Sequence, residues 1–229
     1  MTNTKFLLAL SFLAFAVSLH AQEVESMKTV FSVSAGLNSN QSWEMEPSVS
    51  YYFCPYIGCT LGLNITNQYN QIGYSGTVSG NGNLHWEIED SEASVTKFLF
   101  RPAINLRTPI LWLDQDHDTG LTFQLEPGLY MAAPVNDRVT VLYRDKEHVS
   151  SVTDSKRLSN NKGDWLFWNI RSAISLHIDR FIISSGYSIS NFDIYSGRRN
   201  ILIEGVKLDS KLPKREYTNS FFLSLGYSF

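Results

Sequence analysis

Six charged side chains occur at alternate positions of segments that otherwise hold small polar and apolar residues. They are Glu44, Glu46, Lys97, Arg101, Glu126 and Arg171. Carboxylates and cations that share one face of neighbouring segments can form ion pairs, or they can line a polar passage. In a narrow interior we expect pairing, because an unpaired charge taken out of water is costly. The sequence therefore predicts an interior charge network, with a small pore or gate as the alternative.

Other reactive side chains carry weaker signals. Ser175 and His177 share one face of a segment, but a hydrolase site also needs a third polar group beside the Ser and His. The run Asp114–Asp118 has acids at positions one, three and five of a calcium loop. Thr119 and Leu125 stand where an EF-hand needs Gly and a bidentate Glu. We expect a solvated acidic turn here, no metal site, no cofactor and no catalytic residues.

The two cysteines of the chain, Cys54 and Cys59, are separated by four residues. In an exported protein such a pair can form a disulfide across a hairpin turn. Two free thiols are an equally good interpretation of the spacing. A metal site would need more ligands than these two thiols.

The segments that carry these residues alternate with a period of two, which is typical of β-strands with two different faces. Eight such segments are predicted: Thr29–Leu37, Trp43–Phe53, Ile57–Asn67, Ser94–Thr108, Thr119–Ala133, Asp164–Ile178, Phe181–Asn191 and Tyr217–Phe229. The connections after the third, fifth and seventh strands are long and polar, whereas those after the second and sixth are very short. This pattern predicts an antiparallel up-and-down barrel with short turns at one end and long loops at the other.

The last predicted strand is the most regular. Large apolar residues alternate along it at Phe221, Leu223, Leu225, Tyr227 and Phe229. A last strand that pairs with the first strand has no free edge, and its apolar face can meet lipid. An alternating last strand that ends in Tyr-x-Phe resembles the closing strand of the small outer-membrane β-barrels of the OmpA/OmpX-like group.

The resemblance covers the whole mature chain in pattern, but only the closing strand in specific residues. It implies an eight-stranded transmembrane barrel surrounded by outer-membrane lipid and lipopolysaccharide. It also implies that Phe221, Leu225, Tyr227 and Phe229 form the signal that the barrel-assembly machinery recognises during insertion.

Periodicity alone does not say which face is inside, since a soluble lipocalin-like barrel also alternates, with its apolar face inward. Here the polar face is mainly Gly, Ser, Thr and Asn, and small residues suit the interior of a narrow barrel. The apolar face is large, with aromatic residues near the strand ends at Tyr51, Phe53, Trp168, Tyr227 and Phe229. Such aromatic residues are typical of an interfacial girdle. We therefore favour the membrane barrel.

The amino-terminal residues 1–21 have the pattern of a secretory signal peptide. Lys5 precedes the apolar run Phe6–Leu19, and Ala21 is the expected cleavage residue. Residues 22–229 then form one barrel domain. The formal net charge of −3 gives no indication of nucleic-acid binding.

These patterns predict an exported protein of the outer membrane. We expect a structural or surface-interaction role through the external loops, whose mixed charges predict solvated segments, but no residue pattern identifies an external ligand. A lipid A-modifying barrel enzyme and a soluble lipocalin-like binding barrel are the alternatives.

Overall fold

The computed structural model describes residues 29–69, 73–78, 80–148, 151–160, 162–214 and 216–229. Its central element is a barrel of eight antiparallel strands. These are β1 (Thr29–Asn38), β2 (Ser42–Cys54), β3 (Ile57–Gln68), β4 (Thr96–Arg107), β5 (Thr119–Ala133), β6 (Leu166–Ile178), β7 (Phe181–Ser190) and β8 (Thr218–Ser228). The predicted fold class is confirmed. The predicted signal peptide lies outside the described residues.

Each barrel strand pairs with the strand before it and the strand after it. The first and last strands close the barrel, in a register that runs from Val30 opposite Ser228 to Asn38 opposite Ser220. Closure satisfies the backbone hydrogen bonds of both edge strands within the sheet. A sheet can cross the hydrocarbon core of a membrane only under this condition.

The two faces of the barrel differ as the alternation predicts. Outward-facing apolar side chains are exposed all around the barrel, for example Leu63 at 60%, Phe98 at 55% and Leu225 at 67%. Inward-facing positions hold small or polar residues that are buried, such as Ser50 and Thr60, whose hydroxyls share a hydrogen bond of 2.8 Å. A soluble lipocalin-like barrel would have the reverse arrangement. The chain is therefore a transmembrane β-barrel.

The two ends of the barrel are unequal. Both described chain ends lie at the end that also carries the short β2–β3 and β6–β7 turns, and we call it the periplasmic end. There the β4–β5 connection extends its hairpin beyond the barrel, where Leu111–Trp112 pairs with the start of β5. The opposite, external end carries the tight β1–β2 turn and three long connections. Among the described residues, no helix is long and apolar enough to cross a membrane.

The three long connections fold into a unit above the external end, which we call the cap. The β3–β4 connection supplies strands Ser75–Val78 and Asn81–Ile88, and the β5–β6 connection supplies Arg138–Asp145 and Val152–Ser159. Together they form a four-stranded antiparallel sheet. The β7–β8 connection packs against this sheet and includes a small hairpin at 202–207.

The cap has a hydrophobic core that continues into the barrel mouth, which differs from the predicted solvated loops. Val139, Val141 and Ile194 are fully buried, and Trp86 and Ile203 are nearly so. These residues are spread over three separate connections, and only short alternations such as Val139, Val141 and Tyr143 mark some of them in the sequence. They come together only when the barrel places the three connections side by side.

A charge on the lipid-facing side should destabilise the barrel. We expect Leu63→Arg, near the middle of β3, to lower the free energy of unfolding from lipid vesicles by about 2–4 kcal/mol, because the guanidinium would lie in hydrocarbon. Leu63→Met is the matched control and should change the stability little. Urea titration of vesicle-inserted protein measures both variants. Equal stability of the two would contradict the assignment of this face to lipid.

Candidate functional site: a closed lumen beneath an external cap

A carboxylate with two cations around it occupies the middle of the lumen. Arg101 donates from Nε and Nη2 to Oε1 of Glu46, at 3.0 and 2.8 Å. Its Nη1 donates to Oε2 of Glu126 at 2.8 Å, so one guanidinium joins β2 to β5 across the barrel. Arg101 and Glu46 are each 1% exposed. At this burial an ion pair can persist only if both charged groups are well hydrogen-bonded.

Arg171 of β6 completes this central network. Its Nη1 donates to Glu46 and its Nη2 donates to Ser34 Oγ at 3.2 Å. The guanidinium also stacks on the ring of Phe222, 3.8 Å from the ring centre. Because β5 and β6 place Glu126 directly opposite Arg171, the barrel register itself brings the second acid near the second cation.

Space for this network is made by a glycine on β3. A Cβ at Gly62 would lie 2.7 Å from Oε1 of Glu46, so any larger residue would displace the carboxylate. The strand pairing places Gly62 beside both Ser48 and Arg101. The central network therefore depends on a small residue between its charged partners.

The other two charged residues predicted for the lumen lie outside the central network. Glu44 is half-buried and accepts hydrogen bonds from Asn38 Nδ2 at 3.5 Å and Ser220 Oγ at 3.3 Å. None of the ion pairs among the described residues includes Glu44. Lys97 is fully buried, but it lies at the external end and pairs with a residue of the cap.

Lys97 belongs to a second charge cluster, which joins the barrel to all three parts of the cap. Its Nζ donates to Oδ1 of Asp137 at 2.7 Å and to the carbonyl oxygen of Pro134 at 2.7 Å. Arg198 lies 3.5 Å from the other oxygen of Asp137. Arg198 also donates to the carbonyl oxygens of Glu92 and Ser94 in the β3–β4 connection. We call Lys97, Asp137 and Arg198 the latch.

Aromatic residues close the external mouth of the barrel beside the latch. Phe192 packs edge-to-face against Phe167 at 5.3 Å and against Tyr130 at 6.1 Å. Tyr195 follows it in the β7–β8 connection and accepts a hydrogen bond from Gln68 Nε2 at 2.5 Å. All of these side chains are buried. The connection therefore enters the barrel mouth and fills it.

Polar contacts also hold the cap together away from the mouth. Tyr143 donates a hydrogen bond of 2.7 Å to Glu204, and burial together with this bond raises the pKa of Tyr143 to about 12. Hydrogen bonds from Lys214 and Arg199 hold the pKa of Asp209 below its usual range. At neutral pH Tyr143 is protonated and can donate to Glu204, and Asp209 is ionised and can accept from Lys214 and Arg199.

The other sequence-predicted groups stay apart. Ser175 shares a hydrogen bond with Ser184 at 2.7 Å, whereas Nε2 of His177 pairs with Thr122 Oγ1 at 2.9 Å. The two residues are therefore not hydrogen-bonded to each other. The carboxylate of Asp114 accepts from the backbone N–H groups of Asp118 and Thr119, at 3.0 and 2.8 Å. No group of three metal-ligating side chains occurs among the described residues.

Both cysteine thiols are free. The β2–β3 register places Cys59 opposite Tyr51 and Cys54 opposite Ile57, with an irregularity just before Cys54. The two cysteines are therefore not a directly facing pair. The structure has the free-thiol arrangement, which is one of the two interpretations that the spacing allows.

The residues of the predicted assembly signal lie on the lipid-facing side of the closing strand. Phe221, Leu225 and Phe229 are exposed. Tyr227 packs edge-to-face against Phe181 at 5.4 Å and against Phe229 at 5.1 Å. All four side chains are accessible from the membrane side of the barrel.

Sequence reasoning missed three buried charges. Arg107 donates to the carbonyl oxygen of Pro55 at 2.6 Å and stacks on Tyr52 at the periplasmic end. It shares the inward parity of Lys97 and Arg101 on β4, so the alternation could have identified it. Asp137 and Arg198 lie in irregular connections, where no periodicity indicates which side chain turns inward.

Comparison with solved structures gives matches to membrane barrels. A de novo designed transmembrane β-barrel is 7% identical, with 91% of this chain and 100% of that chain covered and a TM-score of 0.45. A major outer membrane protein from Thermus thermophilus is 8% identical, with 88% and 98% covered and a TM-score of 0.43. The outer membrane enzyme PagL is 8% identical, with 87% and 99% covered and a TM-score of 0.34. Neither a protein-family model nor a curated protein matches the sequence.

Removing the central carboxylate should destabilise the barrel strongly. We expect Glu46→Ala to lower the free energy of unfolding by about 3–5 kcal/mol, because two buried guanidinium groups lose their shared partner. Glu44→Gln is the matched control, since Glu44 has no ion-pair partner among the described residues, and its effect should be clearly smaller. Urea titration in lipid vesicles measures both. Similar losses for the two variants would mean that the ion pairs are not what stabilises the lumen.

Removing the acid of the latch should loosen the cap without unfolding the barrel. In Asp137→Ala, Lys97 and Arg198 keep their buried charges but lose their carboxylate. We expect trypsin to cleave faster after Arg198 and Arg199 in the vesicle-inserted protein, with the fragments identified by mass spectrometry. Asp154→Ala, on an exposed cap strand, is the control, and trypsin should cleave it after Arg198 and Arg199 at the wild-type rate. An unchanged rate in Asp137→Ala would show that the latch does not hold the β7–β8 connection.

Proposed function

We propose that this chain is a closed, non-catalytic β-barrel of the outer membrane, whose cap provides a surface for structural or interaction roles outside the cell. The observation that carries the proposal is the difference between lumen and loops. Paired charges block the middle of the lumen and aromatic side chains block its external mouth, while a small cavity lined by serines lies on the periplasmic side of the central network. The external connections, in contrast, build a sheet whose hydrophobic core continues into the barrel mouth. Loops on a rigid scaffold are where binding surfaces commonly arise.

The contacts inside the barrel argue against a pore. A permeating ion would have to pass the latch and the aromatic residues at the mouth, and then the central network. In the central network Glu46 is shared by Arg101 and Arg171, so opening a path there would separate two ion pairs in a narrow interior. A barrel of eight strands is just wide enough to be filled by side chains.

The contacts of the histidines give no support to the alternative of a lipid A-modifying enzyme. His177 is buried in the lumen and pairs with Thr122 rather than with Ser175. Catalysis at the membrane surface would need a nucleophile and a base within hydrogen-bond reach of each other, at the rim of the barrel. Among the described residues, no hydrogen bond between a Ser and a His forms such a pair.

A location in the outer membrane would require the chain to be exported and then inserted. Residues 1–21 would direct secretion and be removed. Phe221, Leu225, Tyr227 and Phe229 would be the signal recognised by the barrel-assembly machinery, and their position on the exposed face of the closing strand supports this role. Outer-membrane lipid and lipopolysaccharide would then surround the apolar face of the barrel.

Three measurements test the proposed function. In planar lipid bilayers the folded protein should give no current steps. The aromatic residues and the latch block the external mouth, and the central network blocks the middle of the lumen. Lipid A incubated with barrel-containing vesicles should keep its mass. Vesicles that carry the full barrel should be retained on immobilised proteins or polysaccharides more than vesicles with Arg138–Ser159 replaced by a short turn.

Each result has its own control. The shortened variant must still resist SDS before boiling, which shows that the barrel is folded. Current steps that disappear after boiling would show that the folded barrel is a pore rather than a closed barrel. A change in lipid A mass would replace the non-catalytic role by an enzymatic one. Equal retention of the two vesicle types on every surface would remove the interaction role and leave a structural one.

A further inference from the structure

One buried cation of the lumen has no carboxylate partner. Arg107, the last residue of β4, is 8% exposed, and none of the ion pairs among the described residues includes it. Its contacts with the carbonyl oxygen of Pro55 and the ring face of Tyr52 supply partial negative charge only. Its Nη1 has no hydrogen-bond partner among the described residues. A guanidinium taken out of water in this way is costly unless a counter-charge is supplied.

The acids of the barrel strands are already used elsewhere. The eight strands contain only Glu44, Glu46 and Glu126. The central network joins two of these carboxylates to two guanidinium groups, so its formal charges cancel. Glu44 lies at the next inward position from Glu46 toward the external end, away from Arg107. The strands therefore supply no carboxylate that neutralises Arg107.

A second nitrogen without a partner lies in the same periplasmic layer of the lumen. His177 is fully buried near the end of β6, and its Nε2 pairs with Thr122 Oγ1 at 2.9 Å. Its Nδ1 has no partner among the described residues. Thr122 is the next inward position from Gln124 toward the periplasmic end, and Gln124 lies opposite Arg107. Arg107, Thr122 and His177 therefore follow one another around the inner wall from β4 to β6.

We propose that Arg107 and His177 bind one monovalent inorganic anion of the size of chloride at the periplasmic end of the lumen. The anion accepts a hydrogen bond from Nη1 of Arg107, and its charge offsets that of the guanidinium. It also accepts from Nδ1 of His177, which carries a hydrogen when the Thr122 hydroxyl donates to Nε2. The two nitrogens that lack protein partners thus share one ligand.

The position and packing of this site favour a small ion from the periplasm. Arg107 ends β4, and His177 lies one residue before the end of β6, so both are close to the periplasmic rim. Val30, Tyr52 and Ile182 pack together in the same layer, with Tyr52 under the guanidinium and Ile182 opposite His177. A polyatomic anion would displace this apolar cluster. A halide ion is compact and has no fixed coordination geometry, so it suits the enclosed position.

The dependence of stability on chloride tests the site in the vesicle-inserted protein. Chloride replaces gluconate, an anion too large for the site, at constant ionic strength, and urea titration gives the midpoint of unfolding. An ion that binds only the folded state stabilises it, so the midpoint of the wild-type protein should rise with the chloride concentration. Arg107→Met keeps an unbranched side chain over Tyr52 but loses the charge, and it should lose this rise. Arg138→Met removes an exposed cation of the cap and should keep it.

Bromide gives a second readout that needs no variant. In crystals of the wild-type protein grown with bromide, the anomalous signal should show an ion within hydrogen-bond distance of Nη1 of Arg107. Absence of a bromide peak there would overturn the inference, and a water molecule in its place would show that solvent satisfies the guanidinium. A wild-type midpoint that does not respond to chloride would overturn it as well. So would an equal rise in Arg107→Met, provided that this variant still resists SDS before boiling.

Discussion

The ion pair between Arg101 and Glu46 is the contact on which the interior of this barrel depends. Outside the barrel there is hydrocarbon, and inside there is too little room for bulk water, so each buried charge needs a partner. Glu46 meets this condition for two cations, Arg101 and Arg171, and Arg101 extends the pairing to Glu126. The central network therefore stabilises the register in which β2, β4, β5 and β6 bring these residues together. It also fixes the size of their neighbours, as the close approach of Gly62 to Glu46 shows.

The latch extends the same constraint to the outside of the membrane. Lys97 is a barrel residue that pairs with no acid of the barrel strands, and Asp137 of the cap supplies its partner. Arg198 approaches the same carboxylate and binds the β3–β4 connection through its carbonyl oxygens. One buried carboxylate thus ties three connections to the mouth. Gly197 is required for this arrangement, because a Cβ there would lie 2.8 Å from both the carboxylate of Asp137 and Nζ of Lys97. The same contacts therefore hold the cap in place and close the external mouth of the lumen.

Much of the barrel could be predicted from the sequence, and the reason is its strict period of two. Alternation places Leu63 outward and Arg101 inward without any knowledge of their contacts. The same rule would have placed Arg107, which lies in line with Arg101 on β4. The cap could be predicted in this way only in short pieces, such as the alternation of Val139, Val141 and Tyr143. Val139 and Val141 belong to a short strand between charged residues, and Ile194 and Ile201 lie in irregular chain. Their common core exists only because the barrel brings three distant connections together. In the sequence Asp137 resembles any other charged loop residue, although it is buried beside Lys97.

The lumen face and the lipid face of the barrel differ in how much variation in side-chain size they tolerate. Inside, an unfilled position leaves a polar group without a partner, and the sequence supplies matched charges and hydroxyl pairs such as Ser50 with Thr60. Outside, a small side chain such as Ser185, between Ile174 and Leu223, leaves only a gap that fluid hydrocarbon can fill. Variation in side-chain size therefore costs little on the lipid face and much in the lumen.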